Sequence, residues 1–163
     1  MTDRFTKAER SSIMARIKSQ GTGAEYIVRR LLHREGYRYR LSVRGLPGTP
    51  DIVLPRHKKI ILVHGCFWHG HQQCGRAARP RSNVEFWNTK LDKNIKRDKK
   101  VRKELSSLGW NVLVIWECQL KDEAATEKLL REFMSVSHQA NNLLCKFDET
   151  LKTKQTAAGR QRR

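Results

Sequence analysis

Two short β-branched runs, DIVL at 51–54 and IILVH at 60–64, stand five residues apart, and a third, NVLVIWE at 111–117, follows only after a long helical stretch. Runs this short make strands rather than helices, and the intervening PRHKK is of hairpin length, so the first two pair antiparallel. A symmetric hairpin places Asp51 opposite residues 63 and 64. Residues 83–108 repeat apolar Val84, Trp87, Leu91, Ile95, Val101 and Leu105 at helical spacing. A helix between the second and third strands brings the third back parallel to its neighbour.

The remaining elements fit around that unit. Ile27, Val28, Leu31 and Leu32 mark a helix over 24–35 that Gly36 stops, YRYRLSV is a short alternating strand, and GLPGTP is a turn-rich break. Gly109 ends the long helix, NVLVIWE reads as a buried strand, and DEAATEKLLREFMSV closes with a helix. Residues 1–23 form an arm with one short helix, SSIMARIKSQ, capped by Ser11 or Ser12, and 151–163 form a disordered tail with five basic and no acidic residues. The expectation is one α/β domain over 24–150, a mixed central sheet flanked by helices.

Among 163 residues, 34 Lys and Arg against 16 Asp and Glu give a net charge of +18, which suits a polyanion partner. No apolar run is long enough to span a membrane and the polar N-terminus lacks a signal core, so the reading is a soluble, cytoplasmic protein that binds nucleic acid. Cysteines 66, 74, 118 and 145 in such a chain are metal ligands or buried thiols rather than disulfides.

Cys66, His71 and Cys74 share one loop, and Cys118 lies just past NVLVIWE as Cys66 lies just past IILVH. Parallel neighbouring strands therefore carry both cysteines to the same sheet end, and a closed Cys₃His site is the geometry of structural zinc. The plainer alternative makes Cys118 a buried small hydrophobe and the histidines surface residues; Cys145 is read as a buried thiol.

Beside that loop stand Asp51, a hard oxygen ligand suited to Mg²⁺, and two histidines, His64 and His69, able to divide proton transfer from phosphate contact. Taken singly, each has a plainer alternative: Asp51 as a turn acid after Pro50, His64 as a satisfied core histidine and Glu25 as a routine helix-start acid. Asp98, in RDKK, is either a salt-bridging face residue or the group that orients His69. Together they resemble the apparatus of phosphodiester hydrolysis. Phe67 and Trp68 interrupt a polar loop where no core pattern requires them, as a DNA wedge would.

The motifs GTGAE, LPGTPDIV, HGCFWH, EFWNTKLDKNIKRD and LGWNVLVIWEC, in this order between about Ser11 and Met134, resemble those of the bacterial very short patch repair, or Vsr, DNA mismatch endonucleases. The resemblance implies a restriction-endonuclease-like core and nicking of one strand 5′ to the thymine of a T:G mismatch left by 5-methylcytosine deamination. It implies Asp51 and the Val63 backbone carbonyl as Mg²⁺ contacts, His69 as general base, His64 against the phosphate and Glu25 in support. It further implies zinc on Cys66, His71, Cys74 and Cys118, and base-stack insertion by Phe67, Trp68 and Trp87. Arg10, Arg16 and Lys18 of the arm would clamp the other groove; Lys90, Lys93, Lys96, Arg97, Lys99 and Lys100 are read from the helix itself as phosphate contacts or as a solvated face.

The spacing from His71 to Cys74 is one residue longer than the family's, and Val63 stands where Thr is usual. Phe86, Trp110 and Trp116 are assigned to packing. The expected partners are mismatched double-stranded DNA at the bacterial nucleoid and, by resemblance, general mismatch-repair proteins. A single nick needs one active site, so a monomer is expected. The competing readings are a restriction-like nuclease on matched duplex and a zinc-containing DNA binder without catalysis.

Overall fold

The computed structural model describes residues 20–136, with the isolated positions Glu9 and Ser12. The arm's Arg10, Arg16 and Lys18, most of its expected helix, Cys145 and the tail lie outside the described residues.

Helix α1 (Gly23–Arg34) starts at a capping box: the Thr22 hydroxyl accepts from the Glu25 N–H while the Glu25 carboxylate reaches back to the cap. It stops at Gly36, whose φ of 81° lets Gly36 N–H reach the His33 carbonyl and Tyr37 N–H the Leu32 carbonyl, both at 3.0 Å. Strands β1 (Arg40–Leu41), β2 (Ile52–Leu54), β3 (Lys59–His64) and β4 (Asn111–Trp116) form one sheet in that spatial order. The first three are antiparallel in sequence and β4 runs parallel to β3. Helix α2 (Val84–Ser107) is the crossover, ended at Gly109 by the same two-bond motif, and α3 (Glu123–Ser135) is capped by Asp122.

Alternation along the strands splits the core across the sheet. Ile52, Leu54, Ile61 and Ile115 face Val28, Leu31 and Leu32 of α1 and Leu130 of α3. Val53, Ile60 and Leu62 face Leu105 and Val101 of α2. Helices α1 and α3 are also laced by Arg30 and Arg34 to Glu123, Arg34 to Glu127 and Arg131 to Glu35. Among the described residues no helix is long and apolar enough to cross a membrane.

Three local expectations need correction. The hairpin pairs Ile52 with Ile61 and Leu54 with Lys59, one residue off the symmetric register, so Asp51 comes level with Leu62. The cause is a four-residue turn in which Lys58 takes a left-handed conformation (φ 52°), returning Lys59 to the strand. The run YRYRLSV yields only a two-residue strand with both residues exposed, because Ser42 at φ 46° breaks it. Among the described residues NVLVIWE is an edge strand with no partner on its far side, and within it only Ile115 is buried.

Candidate active site and metal centre

A cleft of about 850 Å³ opens where the start of α1, the end of β3 and the middle of α2 converge, lined by Glu25, Asp51, His64, Trp68, His69 and Asp98 among others. The LPGTP turn delivers Asp51 to its floor. Gly48 sits at φ 72° against α2, where a Cβ would lie 2.5 Å from Val101 Cγ1, so only glycine lets the turn pass so closely. The Asp51 carboxylate accepts the Val63 N–H at 2.8 Å. Burial raises the Asp51 pKa above the usual carboxylate value, that hydrogen bond opposes the rise, and the Glu25 charge adds to it.

Glu25 is 3% exposed and fully engaged: Oε1 accepts from the Thr22 N–H and hydroxyl, while Oε2 accepts from the Gly21 N–H and pairs with Arg29. It is therefore both a helix cap and a charge on the cleft wall.

His64 and His69 stack at 4.0 Å between ring centroids, 12° from parallel. His69 Nδ1 lies 2.5 Å from Asp98 Oδ2. Burial works to raise the Asp98 pKa, but the hydrogen bond and charges of His69, His64 and Arg97 outweigh it and hold the group below its usual value. An ionised carboxylate only accepts, so Nδ1 carries the proton of that bond and Nε2 is left as the basic nitrogen. Burial, with help from His69, pushes His64 down to about 4, so it is neutral near pH 7. Asp98 Oδ1 also lies 3.6 Å from Arg97, so the residue makes both the ion pair and the His69 contact that its two readings expect.

Beyond β3 the loop gathers a second cluster. One ligand atom each from Cys66, His71, Cys74 and Cys118 lies within 4.8 Å of every other. His71 Nδ1 is 3.6 Å from Cys66 Sγ and 3.3 Å from Cys118 Sγ. The parallel register pairs His64 with Trp116, and two residues further on Cys66 and Cys118 meet. Just before Cys74, Gln73 turns left-handed (φ 56°). None of these three thiols is in a disulfide. Burial pushes Cys66 up to about 11, whereas the Arg76 N–H holds Cys74 below the ordinary thiol value. Three sulfurs and one imidazole so grouped fit a tetrahedral zinc ion.

Trp68 lines the cleft and packs with Phe67 and Trp87, edge-on in the two Phe67 pairs at 5.0 and 5.5 Å between centroids and tilted between the two indoles at 6.1 Å. Lys90 Nζ stands over Trp68 at 5.4 Å. Phe86, assigned to packing from sequence, is instead 50% exposed and edge-on to Trp87, on a first turn of α2 whose Val84 is also exposed. Trp110 does pack, beside the α2-facing core and under Lys58.

Several contributors escaped the sequence reading. Arg29 pairs with Glu25, Asn94 donates to the Trp68 carbonyl at 3.2 Å, and Glu117 lines the cleft. Arg29 carries a usable signal, since i,i+4 spacing to an acid is the ordinary helix ion pair. Asn94 has none, because its partner is fixed only by how the loop lies on α2.

Comparison with known proteins supplies the family. Residues 2–76 match the family model described as DNA mismatch endonuclease Vsr. The chain is 43% identical over 137 residues to the type II nicking enzyme V.XorIIP of Xanthomonas oryzae, covering 84% of this chain and all of that protein. It is 42% identical to the type II nicking enzyme V.NmeAIP of Neisseria meningitidis, covering 82% of this chain and 95% of that one. To the DNA mismatch endonuclease Vsr of Escherichia coli it is 40% identical over 135 residues, 79% of this chain and 86% of that protein. By these similarities the chain belongs to the Vsr DNA mismatch endonuclease family and is an endodeoxyribonuclease.

Proposed function

We propose that this enzyme nicks one strand of duplex DNA 5′ to the thymine of a T:G mismatch, the lesion left by 5-methylcytosine deamination, by Mg²⁺-dependent hydrolysis in the Asp51 cleft. The observation that carries the reading is that one cleft holds the half-buried Asp51 carboxylate, a histidine hydrogen-bonded to a second carboxylate and the half-buried ring of Trp68. Asp51 would hold Mg²⁺ with the Val63 carbonyl, and the ion would supply positive charge to the phosphate oxygens. His69 takes the proton of the attacking water at Nε2, and Asp98 stabilises the imidazolium that forms. His64, neutral in the free enzyme, contacts the phosphate by hydrogen bonding. Glu25 supports the site through the fixed start of α1.

Phe67, Trp68 and Trp87 would enter the base stack beside the mismatch. A wobble pair is easier to push apart than a matched one, so deformability becomes selectivity. Stacking returns about 1–3 kcal/mol per base. Lysines of α2 would hold the phosphates. Zinc on Cys66, His71, Cys74 and Cys118 would pin the HGCFWH loop to the sheet end, the core being of restriction-endonuclease type.

A nicking assay on end-labelled duplexes identical except for one T:G or C:G pair, with Mg²⁺ or EDTA, tests this. A Mg²⁺-dependent nick confined to the T strand is expected. Equal cutting of both duplexes would mean a nuclease of matched DNA, and binding without cutting a zinc-containing binder. Asp51→Ala is expected to abolish turnover while keeping most DNA affinity.

A further inference from the structure

Trp116 lies between the two clusters. On one side its ring stacks on His71, 4.2 Å between centroids and 8° from parallel. On the other it meets His64 edge-on at 5.3 Å, and His64 in turn stacks on His69 at 4.0 Å. His69 ends the series on Asp98. The arrangement follows from the fold: the parallel register makes His64 and Trp116 direct partners, so their side chains leave the same sheet face together. The Trp116 backbone is held as well, its N–H donating to Gln119 Oε1 at 2.8 Å and the next N–H, of Glu117, to the His64 carbonyl at 2.9 Å.

A packing tryptophan needs apolar neighbours. This one is only half-buried and has histidines on two sides, one from each cluster. A flat, rigid ring in that position transmits orientation: a metal that fixes the His71 plane fixes the Trp116 plane, and the indole edge then limits how far the His64 ring can tilt. His64 and His69 share one stack, so the tilt of His64 also sets where the basic nitrogen of His69 points.

We propose that Trp116 is a positioning residue through which metal occupancy at the Cys₃His cluster sets the orientation of the His64–His69 pair. The metal centre would then govern the chemical step in addition to holding the fold. The inference rests on the proposed nicking reaction and on metal at that cluster.

The test compares wild type with Trp116→Leu, which fills space without a flat face, and Trp116→Phe, which restores one. Zinc content, affinity for an uncleavable T:G duplex and single-turnover nicking are measured on each. Trp116→Leu is expected to keep one zinc and wild-type DNA affinity while its single-turnover rate falls on the order of 10- to 100-fold, the loss expected from a slightly misplaced catalytic group. Trp116→Phe is expected to recover most of it.

A readout independent of activity is the imidazole ¹⁵N spectrum when cadmium replaces zinc. His64 and His69 resonances should move in wild type and stay still in Trp116→Leu. If they move equally in both, the two-residue backbone link from His64 to Cys66 carries the coupling and the proposal is overturned. A Trp116→Leu rate equal to wild type, or a loss that Trp116→Phe does not recover, overturns it too. If Trp116→Leu loses its zinc, the Trp116→Phe spectrum decides: cadmium must move His64 and His69 there as in wild type. Wild-type enzyme that fails to nick T:G duplex would instead sink the reaction assignment, whatever the spectra show.

Discussion

Asp98 is in hydrogen-bond contact with His69. Burial works to raise the Asp98 pKa, but the His69 hydrogen bond, with the charges of the histidines and Arg97, keeps it below the usual value, so the carboxylate accepts the proton-bearing His69 Nδ1. Replacing His69 by Gln is expected to slow nicking by about 10²- to 10⁴-fold, the usual worth of a proton-transfer group, with DNA binding kept. Asp98→Asn should fall between wild type and that variant in a single-turnover assay, since an amide leaves the imidazole without its charge partner. A wild-type rate for Asp98→Asn would reduce the residue to a surface ion-pair partner. In sequence Asp98 is one charged residue among many on a basic helix, where a salt-bridging face residue is the usual reading and a partner to His69 the alternative. Asp51 and the histidine pair were legible because their residue types are unusual at the ends of apolar strands, whereas Asp98 is ordinary for a helix face.

At the scale of elements, the HGCFWH loop is locked to α2 by a glycine. Gly70 has φ 62°, and a Cβ there would stand 2.5 Å from Ile95 Cδ1. Gly70→Ala should cost about 1–3 kcal/mol in urea unfolding, from backbone strain plus the clash. Adding Ile95→Ala to Gly70→Ala should recover the clash and leave the strain, and a double variant no better than additive would refute the contact.

The opposite end of β3 carries Lys59, whose ammonium donates to the Met134 and Val136 carbonyls at 2.8 and 2.9 Å and so closes α3. Burial lowers its pKa below the usual 10.5. Between that lowered value and 10.5 the unfolded chain holds the proton more firmly than the folded one, so stability must rise with pH across this window. Urea midpoints from pH 8 to 10.5 should climb for wild type relative to Lys59→Met; a relative fall would reverse the assignment.

For the whole molecule, a charge of +18 predicts binding governed by phosphate contacts. Replacing both Lys93 and Lys96 by Ala should lower the slope of log affinity against log salt by about 0.9 for each lysine that meets a phosphate. Matched and mismatched duplexes should be affected alike, because phosphates position and bases specify. Lysines that make no contact would leave the slope unchanged. Sequence by itself determined the order of elements, the two glycine helix stops, the parallel crossover and the meeting of Cys66 with Cys118. Each of these follows from local periodicity, turn chemistry or the two-residue repeat of a strand. Tertiary structure alone decided the hairpin register, which a left-handed Lys58 shifts by one, and the exposure of Phe86. It also decided the seating of Trp116 between two histidines and the choice of Asp98 as partner to His69. Those outcomes depend on where separate elements come to rest against one another, and no local pattern encodes that.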